Sequence, residues 1–123
     1  MSIQQLFTSS KNYLKRHPKS GSANLAAPAT LNSYSFYESK IQIPHGLSYI
    51  PMVRVYYEPY TNGRVYPATG TRVSGAGTGV AFGDILCLWE IDSTNLTITL
   101  EQDSTFAPKT GTRTVYWVIY WDN

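Results

Sequence analysis

The stretch Pro44-His45-Gly46 sets a histidine between two residues that shape backbone. A histidine works as a general acid or base only with a reacting partner in hydrogen-bond reach. The chain has one other histidine, His17, in a basic segment, and no serine stands in a nucleophile-elbow motif. The same residues make a corner: Pro44 stops one strand, Gly46 supplies an unusual backbone angle, and Pro51 fixes entry into the next. The structural reading is the expectation, with His45 and Tyr49 on the connecting loop and no catalytic residue.

Other candidates for chemistry are weaker. Gly75, Gly77, Gly79 and Gly83 match neither the dinucleotide nor the P-loop spacing, and no Gly-Lys-Ser/Thr follows, so residues 69–84 read as an exposed loop. Two distant histidines and the single Cys87 cannot make a zinc site at a familiar spacing. Asp84, Asp92 and Asp103 sit at loop edges without the dense ligand spacing of a calcium loop, and read as solvated turn residues. No metal or cofactor is expected. Cys87, inside Ile85-Leu86-Cys87-Leu88-Trp89-Glu90-Ile91, reads as a small buried hydrophobe. Asn95-Leu96-Thr97 fits a glycosylation acceptor, which counts only for a chain that passes through a secretory route. An enzyme that cleaves polysaccharide needs paired carboxylates in a groove, so a non-enzymatic role is expected.

The elements that must position these residues follow from composition and period. A chain of 123 residues fits one domain. Charged residues are only 15%, and Thr, Ser, Gly and Tyr fill the shortfall, a composition of sheets and turns. Residues 1–32 carry Lys11, Lys15, Arg16 and Lys19 and no acid, hence +4; residues 33–123 carry six basic and eight acidic residues, hence −2, which sums to the net +2. This is a basic arm on a mildly acidic body. The arm is anchored by Leu6, Phe7, Tyr13 and Leu14, and residues 20–32, poor in large side chains, read as a linker. Four charges give only modest attraction to nucleic acid, and no recognition helix or RNA-binding signature accompanies them. No apolar run is long enough for a membrane span and no secretion signal opens the chain, so synthesis in a cytosol is expected.

From Ser33 the period is two. Strands are expected at 34–43, 52–58, 64–68, 85–91, 96–102 and 112–122. Tyr37, Ile41 and Ile43 share a face, as do Val53, Val55 and Tyr57, and Leu96, Ile98 and Leu100. Residues 85–91 read as a central strand. Asn62-Gly63 predicts a type I′ hairpin. The last strand is apolar on both faces, with Val115, Trp117, Ile119 and Trp121 on one and Tyr116, Val118 and Tyr120 on the other, so it is central or faces a partner chain. The fold class is all-β, a six-stranded antiparallel β-sandwich over 33–123 with an extended N-terminal arm over 1–32.

Ten tyrosines stand out, and Tyr49, Tyr56, Tyr57, Tyr60 and Tyr66 crowd one hairpin and its approaches. Alternation buries about half of them. The rest are either stacking faces for a sugar or another subunit, or ordinary cross-strand pairs. Tyr60, Arg64, Tyr66 and Arg72 are the candidate contact residues.

The segment LFTSSKNYLKRHP, a small-residue run, and then IPHGLSYIPMVRVYYEPYTNGRVYP resemble small virion proteins of tailed bacteriophages. In those, a corner like His45, Gly46, Leu47, Tyr49 and Pro51 precedes a VRVYYE strand. The corner, strand and Asn-Gly hairpin also look like the H-type lectin-like sandwich of phage tail-fibre tips. The resemblance covers the opening segment and 33–67; beyond these it extends to strand order and the aromatic last strand. It implies a six-stranded sandwich, commonly a homotrimer, with a structural role in the virion, in the tail or tail fibre, building the particle or touching the host surface. The arm, through Leu6, Phe7, Tyr13, Leu14, Lys15 and Arg16, would dock to other virion proteins. A capsid decoration (cement) protein and a carbohydrate-binding lectin are the alternatives. A host-surface glycan remains an open partner; nucleic acid and membrane insertion are not expected.

Overall fold

The computed structural model describes residues 18–71 and 84–120. Leu6, Phe7, Tyr13, Leu14, Lys15, Arg16, Arg72 and Trp121, all named above, lie outside the described residues, as does the glycine run.

The described chain is all-β. Its strands are β1 (Pro18–Ala26), β2 (Thr30–Leu31), β3 (Phe36–Pro44), β4 (Met52–Tyr57), β5 (Tyr66–Pro67), β6 (Gly70–Thr71), β7 (Leu86–Ile91), β8 (Asn95–Asp103) and β9 (Thr112–Tyr120). They form two sheets, one in the order β1-β9-β4-β5 and the other β2-β3-β8-β7-β6. Every pairing is antiparallel except β6 with β7. The strand tally therefore departs from six: β1 and β2 fall in the expected arm and linker, and β6 opens the stretch 69–84 expected as loop. The return strand expected at 64–68 shrinks to Tyr66–Pro67, and a strand of nine residues appears where an arm and linker were expected.

That strand, β1, pairs along its whole length with β9, from Pro18 opposite Tyr120 to Ala26 opposite Thr112. Side-chain bulk alone predicts a linker here. Here order comes from the backbone ladder and from smallness itself. Gly21 lies opposite Trp117 and leaves room for the indole. Leu25 and Ala27 join the buried core, and Pro28 is fully buried where the chain crosses from one sheet to the other. Ala27 N–H donates to the Gly111 carbonyl at 2.9 Å, closing the end of the ladder.

The core lies between the sheets. Val53, Val55 and Tyr57 of β4 and Val115 and Ile119 of β9 face Cys87, Leu96, Ile98 and Leu100 from the other sheet. Ile41, Ile43, Trp89 and Trp117 pack at its margins. The alternation in 52–57 and in 96–100 is what places these residues inward. β9 sits between β1 and β4, which accounts for its apolar character; Tyr116, Val118 and Tyr120 on its outward face are half-buried.

Two expectations about strands are corrected. The apolar run 85–91 is interior only in part: β8 covers β7 along its whole length on one side, and the two-residue edge strand β6 covers only Leu88 and Trp89 on the other. The central strand of that sheet is β8, flanked by β3 and β7, and its outward residues Thr97, Thr99 and Glu101 are buried with the inward ones. The expected two-residue hairpin at Asn62-Gly63 is absent. Tyr57 pairs with Tyr66, so residues 58–65 form a wider loop. A type I′ turn needs positive φ at both central residues, and of the two only Gly63 has it, at 79°. The Asn62 side chain instead accepts the Arg64 N–H at 3.0 Å, and Glu58 accepts the Gly63 N–H at 3.0 Å.

Candidate contact site

The 58–65 loop leaves the sandwich beside the start of β7, and a cleft of about 260 Å³ opens between them. It is lined by Tyr57, Pro59, Tyr60, Tyr66, Asp84, Ile85 and Leu86. Each residue is held by a different device. Tyr57 is a β4 core residue whose hydroxyl meets the Thr69 hydroxyl at 3.2 Å. Tyr66 is its cross-strand partner in β5 and is 40% exposed. Pro59 is fixed from below by Arg113, whose Nε–H donates to the Pro59 carbonyl at 2.8 Å. The Arg113 guanidinium also donates to the carbonyls of Thr110 and Thr112, both at 3.0 Å, so three backbone oxygens orient it.

Tyr60 is 41% exposed, and its hydroxyl donates to the Asp84 carboxylate at 2.6 Å. This bond ties the loop after β4 to the residue that leads into β7, across the mouth of the sandwich. It also raises the pKa of the Tyr60 phenol, with lesser contributions from burial and from the Asp84 charge, because ionisation would set two anions side by side. The Tyr57 phenol is raised too, mainly by burial, against the opposing pull of the Thr69 hydrogen bond. The floor of the cleft is apolar (Ile85, buried, and Leu86), its walls are two exposed phenol rings, and one carboxylate lies at the rim. That set can stack on a flat apolar face while accepting hydrogen bonds from hydroxyl or amide groups on the same ligand.

Of the four contact residues named from sequence, Tyr60 and Tyr66 come together here. Arg64 is exposed on the loop and does not line the cleft. Asp84 and Arg113 were missed as site residues. Asp84 is 24 positions from Tyr60 and by sequence is a solvated turn residue, with no local signal to link the two.

The corner at His45 has the architecture expected of it. Gly46 has φ 71°. His45 is 8% exposed; its Nδ1 accepts the Leu47 N–H at 3.1 Å, and its Nε2 lies 2.9 Å from the Asp92 carbonyl. With Nδ1 accepting, Nε2 carries the proton and donates. The ring thus straps the β3–β4 connection to the β7–β8 turn, where the His45 N–H also donates to the Thr94 carbonyl at 3.1 Å. The Asp92 carboxylate caps that turn, accepting N–H groups from Asn95 at 2.6 Å and Thr94 at 2.7 Å. Asp103 does the same for Thr105, through N–H at 2.8 Å and hydroxyl at 2.7 Å.

Comparison with models of known protein families, with curated proteins and with solved structures gives no match for this chain.

Proposed function

We propose that this chain is a structural, non-enzymatic module of a bacteriophage virion, placed in the tail or tail fibre. It touches the host surface or a neighbouring virion protein through the Tyr57–Tyr60–Tyr66–Asp84 cleft. The observation that carries the contact role is the convergence of two exposed tyrosines, Tyr60 and Tyr66, on one cleft braced by the Tyr60–Asp84 hydrogen bond. Exposed, conformationally restricted aromatic rings supply contact area at low entropic cost. The virion assignment rests on the resemblance in the opening segment and in 33–67. Mass spectrometry of purified virions, separated into heads and tails, tests it: the chain is expected in the tail fraction. Recovery with heads would favour the decoration-protein reading, and absence from particles would refute both.

A second reading, a carbohydrate-binding lectin, is favoured by the cleft's chemistry, since tyrosine faces beside a carboxylate suit the apolar face and hydroxyls of a sugar ring. A glycan array run with the wild-type chain and with Tyr66→Ala separates the readings. Signal lost in the variant supports the lectin, and a blank array removes it.

A further inference from the structure

The two sheets present four edges, and they are not alike. Three end in strands of two residues each among the described residues: β2, β5 and β6. Where a longer strand runs on past such a stub, a charge stands on it: Lys40 on β3, Arg54 on β4, Glu90 on β7. Short edges and charges are how sheets avoid pairing with other chains. The fourth edge, β1, is nine residues long, and its only charge, Lys19, and its proline, Pro18, stand together at one end. From Ser20 to Ala26 it reads Ser-Gly-Ser-Ala-Asn-Leu-Ala, with no charge and no proline.

The ladder tells which groups that edge offers. Ala27 N–H bonds the Gly111 carbonyl, so odd-numbered residues of this segment bond β9 and even-numbered ones point away. The other side of β9 agrees: the Thr114 carbonyl accepts Glu58 N–H at 2.9 Å, so Thr114 turns its backbone bonding groups to β4 and meets its β1 partner Asn24 through side chains, its hydroxyl donating to Asn24 Oδ1 at 2.8 Å. Ser20, Ser22, Asn24 and Ala26 therefore direct their N–H and C=O groups outward, and no strand among the described residues takes them.

We infer that this edge pairs with the same edge of a second copy of the chain, β1 against β1 antiparallel, about a two-fold axis at Ser22. The sequence is self-complementary in that register. Ser22 faces Ser22, Ser20 faces Asn24, and Gly21 faces Ala23, all small enough for backbones to approach. Pro18, lacking an N–H, falls at the end of the ladder, where its loss matters least. The charge pattern selects the antiparallel sense. Lys19 is the only charged residue of β1. An in-register parallel pair sets two Lys19 side by side, which is unfavourable, whereas the two-fold pair separates them by six residues, about 20 Å, beyond the ~8 Å screening length at physiological salt. The product is one continuous sheet, β5-β4-β9-β1-β1-β9-β4-β5, with the cleft of each copy at its far ends. This is a two-fold assembly and not the three-fold one that the phage resemblance implies.

Light scattering on the full chain at tens of micromolar is expected to give twice the 13.8 kDa monomer mass. Ser22→Pro deletes an outward N–H that β9 does not use, and Ser22→Lys sets like charges across the axis; both are expected to halve the mass while leaving the far-ultraviolet spectrum unchanged. Ser22→Cys carrying a nitroxide is expected to show strong dipolar coupling between copies. Cys87 does not compete for the label, because burial pushes its thiol up to about 12. A wild-type monomer, a dimer or trimer that folded Ser22→Pro and Ser22→Lys leave intact, or an uncoupled spin label would each overturn the inference. None of these outcomes bears on whether the cleft binds a surface.

Discussion

Gly21 lies against the indole of Trp117, so closely that a Cβ on Gly21 would come within 2.6 Å of the ring atom Cε2. The pair sits on the core face of the β1–β9 ladder, opposite Val55 of β4. The glycine is what lets an apparently featureless segment seat itself beside the largest side chain of the last strand.

Gly21→Val should therefore cost about 1–3 kcal/mol, the usual range for forcing atoms into a filled site. Urea denaturation measures it. The indole must move, so tryptophan fluorescence should change as well. A variant as stable as wild type, with the same emission, would show that β1 does not need the gap.

The Tyr60–Asp84 bond should be visible in alkaline titration. Tyr60 ionises above the ordinary tyrosine value because its proton is held by Asp84. Asp84→Asn leaves an acceptor but removes the charge, so the Tyr60 transition should move down toward the ordinary value. Ring-carbon magnetic resonance of labelled tyrosine follows it. An unmoved transition would mean that the bond does not persist in solution.

His45→Ala removes the strap between two loops and leaves the Asp92 carbonyl and the Leu47 N–H without their side-chain partner. The expected loss is about 0.5–1.5 kcal/mol, the net worth of an ordinary hydrogen bond between groups that water can reach, with any binding activity of the cleft retained. Lost binding at unchanged stability would give His45 a role in recognition instead.

Asp92 and Asp103 both titrate below the ordinary carboxylate value, chiefly because backbone N–H groups of Asn95 and Thr105 bond the charged form. In acid the unfolded chain takes up these protons before the folded one does. Their contribution is thus complete above about pH 4 and is lost as pH falls through the lowered folded values. Thermal midpoints should decline below about pH 4, and Asp92→Asn should flatten the decline. An identical acid profile in that variant would remove Asp92 from the account.

What the sequence made legible was whatever alternation dictates. The inward set of β4 (Val53, Val55, Tyr57), that of β8 (Leu96, Ile98, Leu100), and the corner at Pro44-His45-Gly46 could be read from period and turn chemistry. β1 could not, because its stability comes from backbone pairing with residues 112–120 and from an absent side chain, neither of which has a local signature. The Asn62-Gly63 signal misled because Tyr57 pairs with Tyr66, which widens the loop past a two-residue turn. In the cleft, the tyrosines announced themselves by crowding. Asp84 did not, since its meeting with Tyr60 is made by two sheets closing on each other.

The pairing of Pro18–Ala26 with Thr112–Tyr120 also governs when the protein can form. β9 lies between β1 and β4, so Pro18–Ala26 cannot pair until residues 112–120, far downstream of them, have been synthesised. Assembly is late and far from local, which makes for slow folding and makes the nascent N-terminal strand the part most in need of shelter until its C-terminal neighbour arrives.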